Sequence, residues 1–321
     1  MQLNIAQFAV IPPDGSWSLA APRRAPAWAS LTDVLPQIPE FTRSLLPNAR
    51  RVVTAVNRAA RAGNPVPPSD ATRAGSLYSV VGQSVDRGAL FFSGADVVAI
   101  PLKRLRSGSE PAQRIARVLE TYRCPRSGGL RNQAFLGWLT LLGMLEPVLR
   151  GFRPLSDIDV SQLPKRPNGA ASAIWLSRIV PATTLQEIAE LLRRVRDTRV
   201  RGHVIANPVF GGIGPVIGSD GDWIAGRTLV ELKCTVSGMK SIHVAQLICY
   251  FVFDQMRAHG RQPYGFDSLA LSLPRQGVTV VGAVDDWLSA FGAPSSATVV
   301  PAVAAWLDSD PLVPVYGVAA T

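Results

Sequence analysis

Within residues 216–236, VIGSDGDWIAGRTLVELKCTV, three side chains have the types and spacing to do chemistry together: Asp222, Glu231 and Lys233. The stretch TLVELKCTV (residues 228–236) has the branched apolar content of a strand. Residues two apart on a strand project to the same face, so Glu231 and Lys233 point together, while Val230, Leu232 and Cys234 point the other way. An acid and a base in the middle of an apolar strand are costly unless they pair or bind something. Asp222 stands just before WIAG, and a turn through Gly226 would fold it back beside Glu231 on the neighbouring strand. Asp220, two residues earlier, is the reserve candidate. Two carboxylates and the backbone carbonyl of Leu232 make an oxygen-only donor set suited to Mg²⁺ or Mn²⁺. Lys233 is placed to orient a water or to steady developing negative charge.

A Glu-x-Lys pair by itself is common, and its ordinary meaning is a surface ion pair. The order of features is more informative: an aspartate, a short strand, a hydrophobic strand carrying Glu-Leu-Lys, then a helix with Gln246 and Tyr250 in QLICY. This run resembles the core of the PD-(D/E)XK nuclease superfamily, in particular its RecB-type branch. NPVFGGIG (residues 207–214) is similar to the lead-in of bacterial nuclease-like members. The resemblance covers roughly residues 183–284. It implies a restriction-endonuclease-like α/β fold, a mixed sheet flanked by helices. Asp222 and Glu231 would be metal ligands, Lys233 the catalytic lysine, and Gln246 a substrate- or water-positioning residue. It also implies Mg²⁺- or Mn²⁺-dependent phosphodiester hydrolysis, of DNA in preference to RNA, in DNA processing or phage defence. A further glutamate on the preceding helix would be Glu187 or Glu190, although both read equally as its solvated face. The rival expectation is a non-cleaving subunit that binds nucleic acid or a partner within a larger bacterial assembly.

The elements that must position these residues follow from pattern. Helices are expected around residues 40–46, 49–60, 110–122 and 134–149. SLYSVV (residues 76–81) and ALFFSGADVVAIPL (residues 89–102) read as β-rich from their branched and aromatic runs. A connection over residues 154–172 suggests two domains, an N-terminal α+β region (1–165) and the nuclease-like domain (166–321). TTLQEIAELLRRVRD (residues 183–197) is amphipathic, with Leu185, Ile188, Ala189 and Leu192 inward. Short strands near Ile217 and Trp223, a helix over 241–259, a hairpin from LALSL and VTVVGAV, and two final helices complete the expectation.

A net charge of +10 and a pI near 10.2 point to a polyanionic partner, with nucleic acid the default. The cluster Arg193, Arg194, Arg196, Arg199 and Arg201 could track a DNA backbone, and Lys240 could touch a phosphate. A homo-oligomer or a larger complex remains open. Cys124, Cys234 and Cys249 lack paired spacing and read as reduced thiols. His203 and His243 lack ligand spacing and read as surface or loop histidines. The longest apolar run, residues 134–149, is too short to span a bilayer, so a cytoplasmic protein without a membrane partner is expected.

Overall fold

Strands that are apolar on both faces belong in the middle of a covered sheet, and the segment around Glu231 has that pattern. The computed structural model describes residues 1–8, 31, 35, 39–75, 77–122, 129–149, 154–159, 161–198, 202–213, 219–256 and 263–308. In chain order the elements are β1 (Gln2–Asn4), α1 (Pro39–Leu45), α2 (Ala49–Arg61), α3 (Asp70–Arg73), α4 (Tyr78–Phe92), α5 (Ala99–Arg106), α6 (Glu110–Thr121), α7 (Gln133–Leu149), α8 (Gly169–Leu176) and α9 (Ala182–Thr198). There follow β2 (Val204–Ala206), β3 (Val209–Phe210), β4 (Ser219–Asp220), β5 (Trp223–Ala225), β6 (Thr228–Leu232), α10 (Ser241–Gln255), β7 (Ser268–Leu273), β8 (Val278–Ala283), α11 (Val284–Ala290) and α12 (Ser296–Asp308). The class is α/β, with a mixed six-stranded sheet.

Two compact units divide the chain. The sheet unit takes the described residues of 1–64, 198–233 and 237–321, and the helical unit those of 65–197 and 234–236. The division expected near residue 165 therefore falls inside the helical unit. The reason is packing: α8 and α9 carry apolar stripes that join the helices before them, while β1, α1 and α2 bury theirs in the sheet unit.

In the sheet unit the strand order is β1-β8-β7-β6-β5-β2. Strands β2, β5 and β6 form an antiparallel meander. The chain then crosses over through α10 and returns as β7, parallel to β6, before the antiparallel hairpin to β8. Helix α10 is apolar almost all round, from Val244 through Phe253, and such a helix must be buried. It packs against α1, α2, α12 and β7. Phe41 and Trp306 stack with centroids 4.0 Å apart, and Trp287 Nε1 donates to Leu269 O at 3.1 Å. The turn ahead of α10 is held by Asn57 of α2, whose Oδ1 accepts from Met239 N–H and whose Nδ2 donates to Met239 O, both at 2.9 Å. Gly238 beside it has φ +75°, a conformation that L side chains rarely adopt. This turn ends β6 at Leu232, earlier than the expected residue 236.

The helical unit contains no strand among its described residues. The β-rich expectation for residues 76–81 and 89–102 is overturned: among the described residues, 78–92 fold as α4 and 99–102 open α5. Val80, Val81, Ser84, Val85, Gly88 and Ala89 are buried at three- and four-residue spacing, a helical stripe. Their branched character reflects burial, which outweighs β propensity. Helices here approach at small residues. A Cβ on Gly137 of α7 would lie 1.9 Å from the Leu176 carbonyl oxygen, and one on Gly143 would lie 2.7 Å from Ser84 Oγ. Phe91, Phe92, Phe135 and Trp138 cluster beside this contact. The strand expected near Ile217 lies outside the described residues.

Gly137→Ala must push a backbone carbonyl aside, so it should lower unfolding stability by about 1–3 kcal/mol. Gly169→Ala, whose Cβ meets only an atom 3.8 Å away, should be neutral or slightly stabilising. Urea unfolding of the full chain reads both, as midpoints at unchanged slope.

Candidate active site

The register Trp223↔Val230 in the β5–β6 pair places Asp222, one residue before β5, across from Glu231. Lys233 N–H turns toward β7, donating to Ser272 O at 2.9 Å. Leu232 N–H therefore faces the other way and donates to the Asp222 carboxylate. In extended backbone the carbonyl of a residue lies on the same side as its N–H, so Leu232 O also faces the Asp222 side. Asp222, Leu232 and Glu231 thus meet at one end of the meander. Asp220 is exposed in β4, and its carbonyl accepts from the Tyr250 hydroxyl at 2.9 Å.

Glu231 lies on the sheet face that carries Leu229 and is covered by the core. It is only 3% exposed, and Lys233 Nζ donates to its Oε1. Lys233 is 23% exposed, so the pair reaches from the interior toward the surface. Glu231 Oε2 is buried and has no hydrogen-bond partner among the described residues.

Helix α10 turns its few polar side chains toward these groups. His243, Gln246 and Tyr250, at spacings of three and four, share one face. Gln246 Nε2 donates to the Tyr250 hydroxyl at 2.6 Å, and Ser219 Oγ lies 3.3 Å from that hydroxyl. Burial, followed by the Glu231 charge, raises the Tyr250 hydroxyl well above its ordinary range, so it stays protonated and donates to Asp220 O. Phe210 stacks on Tyr250 at 5.0 Å. Tyr250 is fully buried; it ties α10 to β4 and has no face to offer a base.

His243, expected on the surface or in a loop, is buried. It stands at the third position of α10, where its Nδ1 accepts from Lys240 N–H at 3.2 Å, a helix-capping role. Burial foremost, then Lys233 and Lys240, holds the imidazole down at about 3. The signal was available in sequence: a helix starting at Ser241 makes residue 243 its N3 position. Lys240 and His203 are exposed.

The other expected residues lie in the helical unit and are engaged there. Glu187 is buried, and its Oε2 accepts from Ser69 N and Thr72 Oγ1, both at 2.8 Å. It anchors the start of α3, and the solvated reading of this residue is corrected. Glu190 is bound by Arg193 and Arg194, and the Arg193 guanidinium holds its carboxyl down at about 2. Arg193 also bridges to Asp197 at 2.7 Å, with Arg196 3.9 Å from the same carboxylate. All three described arginines of the expected DNA-tracking cluster are therefore ion-paired with Glu190 or Asp197. Arg199, Arg201 and Cys124 lie outside the described residues. Cys249 is buried and Cys234 half-buried.

Among the described residues no three His, Cys, Asp or Glu side chains converge on a metal position. A divalent ion would be held by Glu231 Oε2, the Asp222 carboxylate, Leu232 O and water. That oxygen-only set fits Mg²⁺ or Mn²⁺, and the buried, partnerless Glu231 Oε2 is an acceptor that such an ion would satisfy.

Because the His243 pKa lies below its unfolded value, the unfolded chain takes up a proton between about pH 6.5 and 3 that the folded chain refuses. Stability attributable to this group falls as pH drops through that window, by about 1.4 kcal/mol per pH unit. His243→Gln keeps an acceptor for Lys240 N–H and does not titrate. The wild-type minus variant difference in unfolding free energy should therefore slope across pH 6.5–4; a flat difference would contradict the buried neutral imidazole.

Comparison with protein-family models, curated proteins and solved structures gives no match to this chain.

Proposed function

We propose that the sheet unit is a divalent-metal-dependent nuclease domain that hydrolyses phosphodiester bonds, DNA in preference to RNA. One observation carries this proposal: Glu231 keeps a buried carboxylate oxygen without a partner, beside Lys233 and across from Asp222. Moving a charge pair out of water costs several kcal/mol, and a buried acceptor left unsatisfied adds about 1–3 kcal/mol. A merely structural pair gains nothing from that oxygen, whereas a ligand oxygen needs it. The succession of aspartate, short strand, Glu-Leu-Lys strand and helix bearing Gln246 and Tyr250 supports a restriction-endonuclease-like core. DNA processing or phage defence, in a homo-oligomer or a larger complex, is the setting that the resemblance suggests.

A bound Mg²⁺ or Mn²⁺ would supply Lewis-acid activation of water and phosphate. The protein's own groups do the rest. Glu231 and Asp222 fix the negative pocket. Lys233, at its solvent-facing edge, neutralises charge that develops on the phosphate. Tyr250 and Gln246 lock α10 against the strand so that these positions do not drift.

A second interpretation has its own observation. Asp222 is held by Leu232 N–H and Glu231 by Lys233, a closed network that a non-cleaving nucleic-acid-binding subunit could retain.

Glu231→Gln and Lys233→Ala separate the two. Each should reduce DNA cleavage in Mg²⁺ or Mn²⁺ by ~10²–10³-fold or more, while DNA binding survives. Wild-type protein that cleaves neither DNA nor RNA with either metal leaves the binding subunit. Cleavage that persists in both variants places the chemistry elsewhere.

A further inference from the structure

The strongest unassigned surface is the outer face of α2. Its inner residues Val52, Val56 and Ala60 are buried in the core, while Arg50, Arg51, Arg58 and Arg61 are exposed. Arg50, Thr54, Arg58 and Arg61 follow one another at three- and four-residue steps and form a single stripe. Among the described residues none of the guanidinium groups of Arg50, Arg51, Arg58 and Arg61 is ion-paired or hydrogen-bonded, in contrast to the ion-paired arginines of α9. Arg50, Arg51, Thr54, Ala55 and Arg58 line a groove of about 560 Å³ along this face. The same helix also holds the turn that leads into α10. Asn57 grips Met239 through two hydrogen bonds, and Lys240 and His243 follow directly.

We infer that α2 is the backbone-binding rail of the sheet unit, which seats the phosphates of a nucleic-acid strand on Arg50, Arg51, Arg58 and Arg61. The inference rests on the nuclease proposal for its choice of polyanion, and it adds the surface that holds the substrate. Self-repelling cations on one helix are retained where an anion neutralises them. The stripe rises about 16 Å at 1.5 Å per residue, which matches about five phosphates at 3.4 Å per nucleotide of one strand. Arginine presents a planar fork that suits phosphate oxygens. A membrane surface fits less well. A helix lying on lipid inserts an apolar face, and the apolar face of α2 is already buried in the protein.

The test uses the full chain in EDTA, so that binding is read without cleavage. A labelled 20-base-pair DNA is titrated by fluorescence anisotropy between 50 and 200 mM salt. Replacing Arg50, Arg51, Arg58 and Arg61 together by alanine should weaken binding at least tenfold. The log–log salt slope should fall by about 3, because each lost phosphate contact removes roughly 0.7–0.9. Replacing the same four by lysine keeps the charge and should keep most of the slope, which separates charge loss from any folding defect. An unchanged slope in the alanine variant overturns the inference. So does binding through these arginines to phosphatidylserine vesicles but not to DNA. If the wild type binds DNA through α2 yet cuts nothing in Mg²⁺ or Mn²⁺, the rail stands and the nuclease proposal fails. If the alanine variant binds and cuts like wild type, the rail fails and the nuclease proposal stands.

Discussion

The sheet unit is organised around one constraint, a carboxylate held on the core face of β6 beneath a helix that is apolar almost all round. Glu231 shares its sheet face with Leu229 and stands in register with Leu271 of β7, and the low-dielectric surroundings strengthen every interaction it makes. Lys233, two residues on, answers one oxygen and leaves the other buried without a partner. The neighbouring groups adopt states compatible with that charge. Tyr250 remains protonated beside it, and His243, flanked by Lys233 and Lys240, remains neutral.

Helix α10 is built to tolerate this neighbour. Its polar residues are not scattered. His243, Gln246, Tyr250 and Asp254 recur at three- and four-residue steps along its length. His243 caps the first turn, Gln246 and Tyr250 lock onto β4, and Asp254 accepts from the amides of Tyr264 and Gly265 at 2.7 and 3.1 Å. Each group meets its partner on this stripe, while the remaining faces bury Val244, Leu247, Ile248 and Phe251 among the flanking helices. A helix with such a division can cross between parallel strands β6 and β7 and still deliver hydrogen bonds to the end of the sheet where Asp222 lies.

Charge is distributed by local chemistry rather than by composition alone. Glu190 and Asp197 of α9 form ion pairs with its arginines. Helix α2 has no acidic residue, and its cations remain uncompensated. A net charge of +10 therefore says less about a binding surface than the position of the acids does.

Much of the sheet unit was legible from sequence because its signals are local. The alternation around Val230, Glu231, Leu232 and Lys233 fixes which side chains share a face, since a strand has period two. The hairpin of β7 and β8 and the helices over 39–45, 49–61 and 241–255 follow from turn chemistry and periodicity, as does the helix over 110–121 in the helical unit. Tertiary structure decided the rest. Branched and aromatic runs in residues 78–102 resemble strands until their neighbours show that they are buried on helices, because burial selects the same residue types in either conformation. The discontinuous sheet unit, which unites residues 1–64 with those beyond 198, depends on long-range pairing of β1 with β8 and has no local signature. The burial of Glu187 and His243, and the missing partner of Glu231 Oε2, likewise arise only when segments far apart in the chain pack together. Sequence specifies which groups can share a face; packing alone decides which of them lose water and which lose their partners.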